Sequence, residues 1–150
     1  MWNTGIIMNM AAHNPYKYTD QGLLFLRLCL GVIFVFHGYP KFMAGRETWA
    51  LVGSAMSNLG ITFYPEIWGL LAALAELAGG VCLLLGLLFR PVCLVLAFTM
   101  AVAFSMHFLK GDPFQISSHS LTAGIVFVAL FFTGPGSYIV SNNPTTGSGD

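Results

Sequence analysis

Apolar residues dominate four long runs of this chain, from about Asp20 to Phe42, Pro65 to Phe89, Pro91 to Leu109 and Ser117 to Thr133. A hydrocarbon core of roughly 30 Å needs about 20 helical residues to span it, with a lower limit near 17. Backbone amides in lipid must be paired within their own segment, so each run is predicted to be a transmembrane helix. The pattern therefore predicts an all-α integral membrane protein, an antiparallel four-transmembrane-helix bundle over residues 20–140.

The connections set the topology. Pro65 can open the second helix because a missing amide does no harm at a helix start. Arg90-Pro91 reads as a tight turn that makes the second and third helices antiparallel neighbours. Lys110-Gly111-Asp112-Pro113 turns the third helix into the fourth, and Gly134-Pro135-Gly136 stops the fourth. The one long connection, Met43 to Tyr64, holds Trp49, Val52 and Met56 at helical spacing. A short interfacial helix is expected there, within Arg46 to Asn58.

Residues 1–19 lack the basic start, sustained apolar centre and small-residue cleavage site of a signal peptide. The first spanning helix is thus expected to act as its own uncleaved insertion signal. The polar, Gly- and Pro-bearing residues 141–150 read as a disordered tail. Four crossings place both termini on one face. Lys17, Arg27 and Arg90 lie toward that face and Lys41, Arg46 and Lys110 toward the other, so the positive-inside rule ties.

Composition narrows the function classes. Hydrophobic residues make up 56% of the chain and charged ones 8%, with mean hydropathy +0.75; a soluble domain carries about a quarter charged. Six basic residues balance six acidic ones without a polybasic run, which removes the electrostatic basis for binding nucleic acid. Cys29, Cys82 and Cys93 form no CxxC pair, so neither a thiol relay nor a structural zinc site is predicted. Met56, Met100 and Met106 read as packing residues, and no metal site is expected.

Ionisable groups inside the apolar runs are the informative exceptions, because a charge facing lipid costs about 2.5–3.5 kcal/mol or more. On the first helix, Arg27, Gly31, Phe34, Gly38 and Lys41 recur at spacings that make one face, with His37 beside it. On the second, Gly69, Ala72, Ala73, Glu76, Gly79 and Gly80 form a small-residue stripe around one carboxylate. Small stripes are how membrane helices approach one another, so Glu76 should point inward. His107 ends the third helix and His119 begins the fourth. Alternating helix directions gather Glu76, His37, Lys41, His107 and His119 into one half of the bundle, beneath the loop bearing Trp49. Arg27 tilts the other way and is expected to snorkel to headgroups.

A buried carboxylate must take a proton or find a cationic partner. A Glu76–His37 pair would share a proton near neutral pH, which suits proton-coupled chemistry. Each residue also has a structural reading: Glu76 as a hydrogen-bonding bolt, His37 as its packing partner, and the others as solvated interface groups.

The strings RLCLGVIFVFHGYPKF, AELAGGVCLLLGL and TGPGSY, with the Met-bearing third helix ending in His107, closely resemble the DoxX family of small bacterial membrane proteins. The family's HGxxK element falls on His37, Gly38 and Lys41. Its glutamate-and-glycine helix falls on Glu76, Gly79 and Gly80, and its third-helix histidine on His107. Ser117, Ser118 and His119 stand where many members carry a glutamate, and GPGSYIV lacks the arginine and aspartate of the usual ending. The resemblance implies a multi-pass protein of the bacterial inner membrane in a redox setting tied to quinone, sulfur compounds or oxidative stress. Its termini are assigned to the cytoplasmic side.

Together these readings lead to a small membrane subunit of a redox complex with a quinone site. Glu76, His37 and Lys41 would do the proton and charge work, while Trp49, His107 and His119 would bind the ligand. No electron-carrying motif is present, so a protein partner would supply electrons and no covalent cofactor is expected. The rival class is a non-catalytic scaffold or assembly factor. Haem b between His37 and His107 or His119 is disfavoured, because an axial pair must face across one plane. A transporter reading lacks broken helices in paired halves.

Overall fold

The computed structural model describes residues 17–140. Most of the N-terminal segment and the whole expected tail, 141–150, lie outside the described residues. The described chain is helical, with no strand: α1 (Thr19–Met43), α2 (Arg46–Gly53), a 3-10 turn (Ser54–Leu59), α3 (Pro65–Leu85), α4 (Phe89–Leu109) and α5 (Phe114–Thr133). Four of these, α1, α3, α4 and α5, are long and apolar enough to cross a membrane, and they run up, down, up and down. The short α2 occupies the long first connection. The face reached by the start of α1 and the end of α5 is the terminal face here, and the opposite one the loop face.

Three boundaries differ from the sequence expectation. The turn between α3 and α4 lies at Gly86-Leu87-Leu88, upstream of Arg90-Pro91. Gly86 takes a left-handed φ of 72°, which closes the helix through Gly86 N to Leu83 O at 3.2 Å and Leu87 N to Cys82 O at 2.9 Å. Pro91 then sits in the first turn of α4, where its missing amide has no intrahelical acceptor to lose. At its start, α5 gains the turn from Phe114, since Pro113 is the residue before the helix and its carbonyl accepts from Ile116 N at 2.9 Å. The expected interfacial helix is present but tightens into a 3-10 turn after Gly53.

Close packing is concentrated in the pairs α1–α3, α4–α5 and α2–α3. The α1 face predicted from spacing is the one buried: Arg27, Gly31, Phe34 and Gly38. A Cβ at Gly38 would run into the backbone of Leu77 and lie 3.0 Å from Ala73 O, so only glycine lets the two backbones meet. Gly69 performs the same service for α2, whose Trp49 carbonyl occupies the space a side chain there would need. The apolar core, with Leu83, Cys93, Leu96 and Phe127 fully buried, fills the terminal half. By contrast, α1 and α5 have no Cα pair within 8 Å, which leaves a gap between them in the loop half.

Arg27 does not snorkel. Its side chain is 2% exposed, and it donates through Nη1 to Pro135 O at 3.2 Å and through Nη2 to Tyr138 O. The glycine-rich stop after α5 explains this, since it folds residues 134–140 back under α1. Asp20 accepts from Ser137 Oγ at 2.5 Å and from Ser137 N at 3.3 Å, and Val140 N reaches Leu85 O at 3.0 Å. The guanidinium is well suited to such a site because its donors fan out in one plane toward several carbonyls.

Two predictions follow from this packing. Gly38→Ala should lose about 1–3 kcal/mol of bundle stability through overpacking, whereas Gly22→Ala, with open space around it, should be neutral or slightly stabilising; equilibrium unfolding in mixed detergent compares them. Arg27→Met should leave the Pro135 and Tyr138 carbonyls without their donor at about 1–3 kcal/mol and make residues 134–140 measurably more sensitive to limited proteolysis.

Candidate functional site

The polar half is organised by one ion pair. Lys41, on the last turn of α1, places Nζ 2.7 Å from both Oε1 and Oε2 of Glu76, midway along α3. Glu76 is 2% exposed and Lys41 33%, so the carboxylate is sealed while the ammonium keeps an opening. Glycine-to-backbone contact at Gly38 brings α1 close enough for the pair to form. An unpaired carboxylate at this depth would carry a desolvation penalty of several kcal/mol, which the bidentate ammonium offsets. The amine, rather than the expected imidazole, is therefore the direct partner of Glu76.

His37 instead uses Nδ1 on its own helix, 2.8 Å from the Ile33 carbonyl. That oxygen can only accept, so Nδ1 carries the hydrogen and Nε2 is left as an acceptor. Such i−4 bonding holds the ring along α1, beside Phe34 at a centroid distance of 6.3 Å. His107 ends α4 with Nδ1 2.7 Å from Asp112 Oδ2 in the turn that follows. From the sequence, Asp112 reads only as a turn residue. The signal available was an aspartate five positions after a helix-ending histidine, close enough to fold back on it.

These groups share a cavity. The gap between α1 and α5 encloses about 670 Å³, lined by His37, Lys41, Glu76, His107 and His119 among apolar side chains such as Leu30, Ile33 and Val126. Phe34 forms its floor, meeting Phe127 edge-on at 4.8 Å. Ser118 and Ser120 add hydroxyls from α5. A second, nearly apolar cavity of about 330 Å³ lies behind the ion pair, with Met56, Trp68 and Phe98 in its wall; the two share Lys41, Glu76, Ala103 and His107.

Of the residues singled out in the sequence, five meet around the larger cavity. Trp49 does not. Its indole Nε1 donates to the Lys41 carbonyl at 2.9 Å, satisfying an acceptor at the end of α1 and anchoring α2 behind the site. The residue thus fixes the backbone that carries Lys41 and is absent from the walls of both cavities. Among the described residues no three His, Cys, Asp or Glu side chains gather to hold a metal ion.

The arrangement offers specific chemistry. Lys41 spends two of its three N–H donors on Glu76 and retains one. His37 supplies an acceptor nitrogen, and His107 is backed by a carboxylate. An apolar chamber with a few convergent donors and acceptors is suited to a flat ligand with oxygen atoms at its edge.

The profile of the DoxX family matches residues 22–108. An uncharacterized protein of Haemophilus influenzae is 29% identical over 136 residues, covering 87% of this chain and 96% of its own length. No solved structure matches the chain.

Lys41→Met should cost about 3–5 kcal/mol, because it leaves the buried Glu76 carboxylate without its partner. The double change Lys41→Met with Glu76→Leu should recover most of that loss in the same unfolding assay. Simple additivity of the two single changes would mean that the pair is not coupled.

Proposed function

Because the chain belongs to the DoxX family and is a multi-pass membrane protein, we propose that it is a small quinone-binding subunit of a redox complex in a bacterial inner membrane. Its termini face the cytoplasm in this reading. The observation that carries it is the 670 Å³ chamber between α1 and α5, where an ion pair, three histidines and hydroxyls of α5 converge among apolar side chains. The chamber suits a quinone ring in volume and in chemistry, with apolar walls for the ring and polar groups for its two oxygens.

A bound quinone would accept two electrons and two protons, the electrons coming from a partner redox protein. The chain's own residues bind and protonate. Lys41 directs its remaining N–H at an oxygen and opposes the negative charge that develops there. His107 exchanges protons at the oxygen edge, and the bare Nε2 of His37 accepts one in the quinol-oxidising direction. Glu76 holds Lys41 in position and keeps the pair near neutral overall, so that the chamber stays accessible to an uncharged ligand. Phe34 and Phe127 close the floor against water.

A scaffold reading has one observation in its favour: Glu76 and Asp112 already have basic partners in Lys41 and His107. The two readings part on binding. Purified protein titrated with a short-chain quinone, followed by quenching of tryptophan fluorescence, should give saturable binding. His119→Ala, at an exposed position, should weaken it about tenfold, as expected for one lost hydrogen bond. Unchanged affinity in that variant would reject the chamber as the site and favour the scaffold.

A further inference from the structure

We propose that the chamber's ligand is a lipid-phase quinone with a long isoprenoid chain, and that this chain leaves sideways between α1 and α5 into the acyl chains of the bilayer. This rests on the chamber being the quinone site proposed above, and adds to it the class of quinone and the path of its tail.

The first observation is a slot in the wall of the bundle. No Cα of α1 comes within 8 Å of one in α5, and Phe34 packs edge-on against Phe127 at the bottom of the gap. The segment after α5 ties down the terminal end of α1 through Arg27 and Asp20, so the gap has a fixed lower end. Its rims look outward. Ile33 and His37 on α1 and His119 and Thr122 on α5 line the chamber and are at the same time exposed.

Depth decides what the slot opens into. At about 1.5 Å per residue, His37 and His119 lie about 8–9 Å along their helices from the loop ends, Ile33 and Ala123 about 14–15 Å, and Leu30 and Val126 about 18–20 Å. A hydrocarbon core is about 30 Å thick. The lower part of the slot therefore crosses the middle of the bilayer, where the surrounding medium is hydrocarbon.

The second observation is a change of chemistry down the slot. At the upper level, His37, His119 and Lys41 offer hydrogen bonds. Below them the walls on α1 and α5 include Leu30, Ile33, Ala123 and Val126. An occupant that suits both levels carries oxygen atoms at one end and hydrocarbon at the other. A phospholipid keeps its charged headgroup at the interface, outside the hydrocarbon, whereas an uncharged ring can descend to the histidines. Its isoprenoid chain then passes from acyl chains into an apolar slot without leaving hydrocarbon, so the slot recognises the chain by fit and not by hydrophobic drive. Ala123 keeps the slot open because its side chain is a single methyl group.

The test compares a radiolabelled short-chain quinone with the same ring bearing a polyisoprenoid chain, both binding full-length protein in nanodiscs. Ala123→Phe should fill the slot and weaken binding of the tailed quinone about tenfold, equivalent to a modest overpacking cost, while short-chain affinity stays within about twofold. A second measurement decides the matter if that variant does not fold. The photoreactive residue p-benzoylphenylalanine placed at Thr122 should cross-link the isoprenoid chain in preference to phospholipid. Placed at Val128, 47% exposed on a different side of α5, it should show no such preference. Equal loss of both ligands or loss of neither in folded Ala123→Phe would overturn the proposal, as would equal labelling at the two positions or a cross-link from Thr122 to a second copy of this chain. The quinone reading survives those results as long as the short-chain quinone binds wild type. Absence of that binding would overturn the quinone reading, and this proposal with it.

Discussion

A bidentate ion pair between Lys41 and Glu76 joins the two most closely packed helices at a depth where the carboxylate could not stand alone. The pair requires α1 and α3 to be in backbone contact, which the glycines at 31, 38 and 80 permit. It also explains why the polar half holds together although α1 and α5 stand apart. With Glu76 neutralised in place, the remaining polar groups are free to face a cavity. Removing a buried charge's partner is far more damaging than removing both, so the two residues act as one unit.

The division of the bundle into a packed half and a hollow half follows from side-chain size. In the terminal half, Phe89, Cys93, Leu96, Phe127 and Leu130 fill the space between helices. In the loop half, Ala103, Ser118, Ser120 and Ala123 leave it open. Trp49, tied to the Lys41 carbonyl, and the Gly69 contact beneath it fix α2 over one side of the opening. Arg27 and Asp20 tie down the chain after α5 at the other end. The two halves thus differ in kind: one is filled by the apolar core, and the other gathers the polar groups around a cavity.

Much of this was legible in residue order. Helix number, alternation and the buried stripes on α1 and α3 followed from hydrophobic run length and small-residue spacing. The convergence of Glu76, His37, Lys41, His107 and His119 followed from helix direction alone. Pairing within that group did not. Whether Glu76 meets His37 or Lys41 depends on rotation of α1 by part of a turn, which spacing leaves open. The Gly86 turn was obscured by Pro91, because a proline can either precede a helix or sit inside its first turn. Arg27 near a helix start reads as a headgroup anchor unless the returning segment after α5 is known to supply carbonyls.

Run length and period depend only on neighbours along the chain, so the sequence by itself determined a four-helix membrane bundle with one polar half. The tertiary structure decided which polar atoms touch, that a chamber separates α1 from α5, and that Asp112 backs His107. Those outcomes depend on angstrom-scale approach between helices distant in sequence, set by the sum of many side-chain volumes that no local pattern encodes.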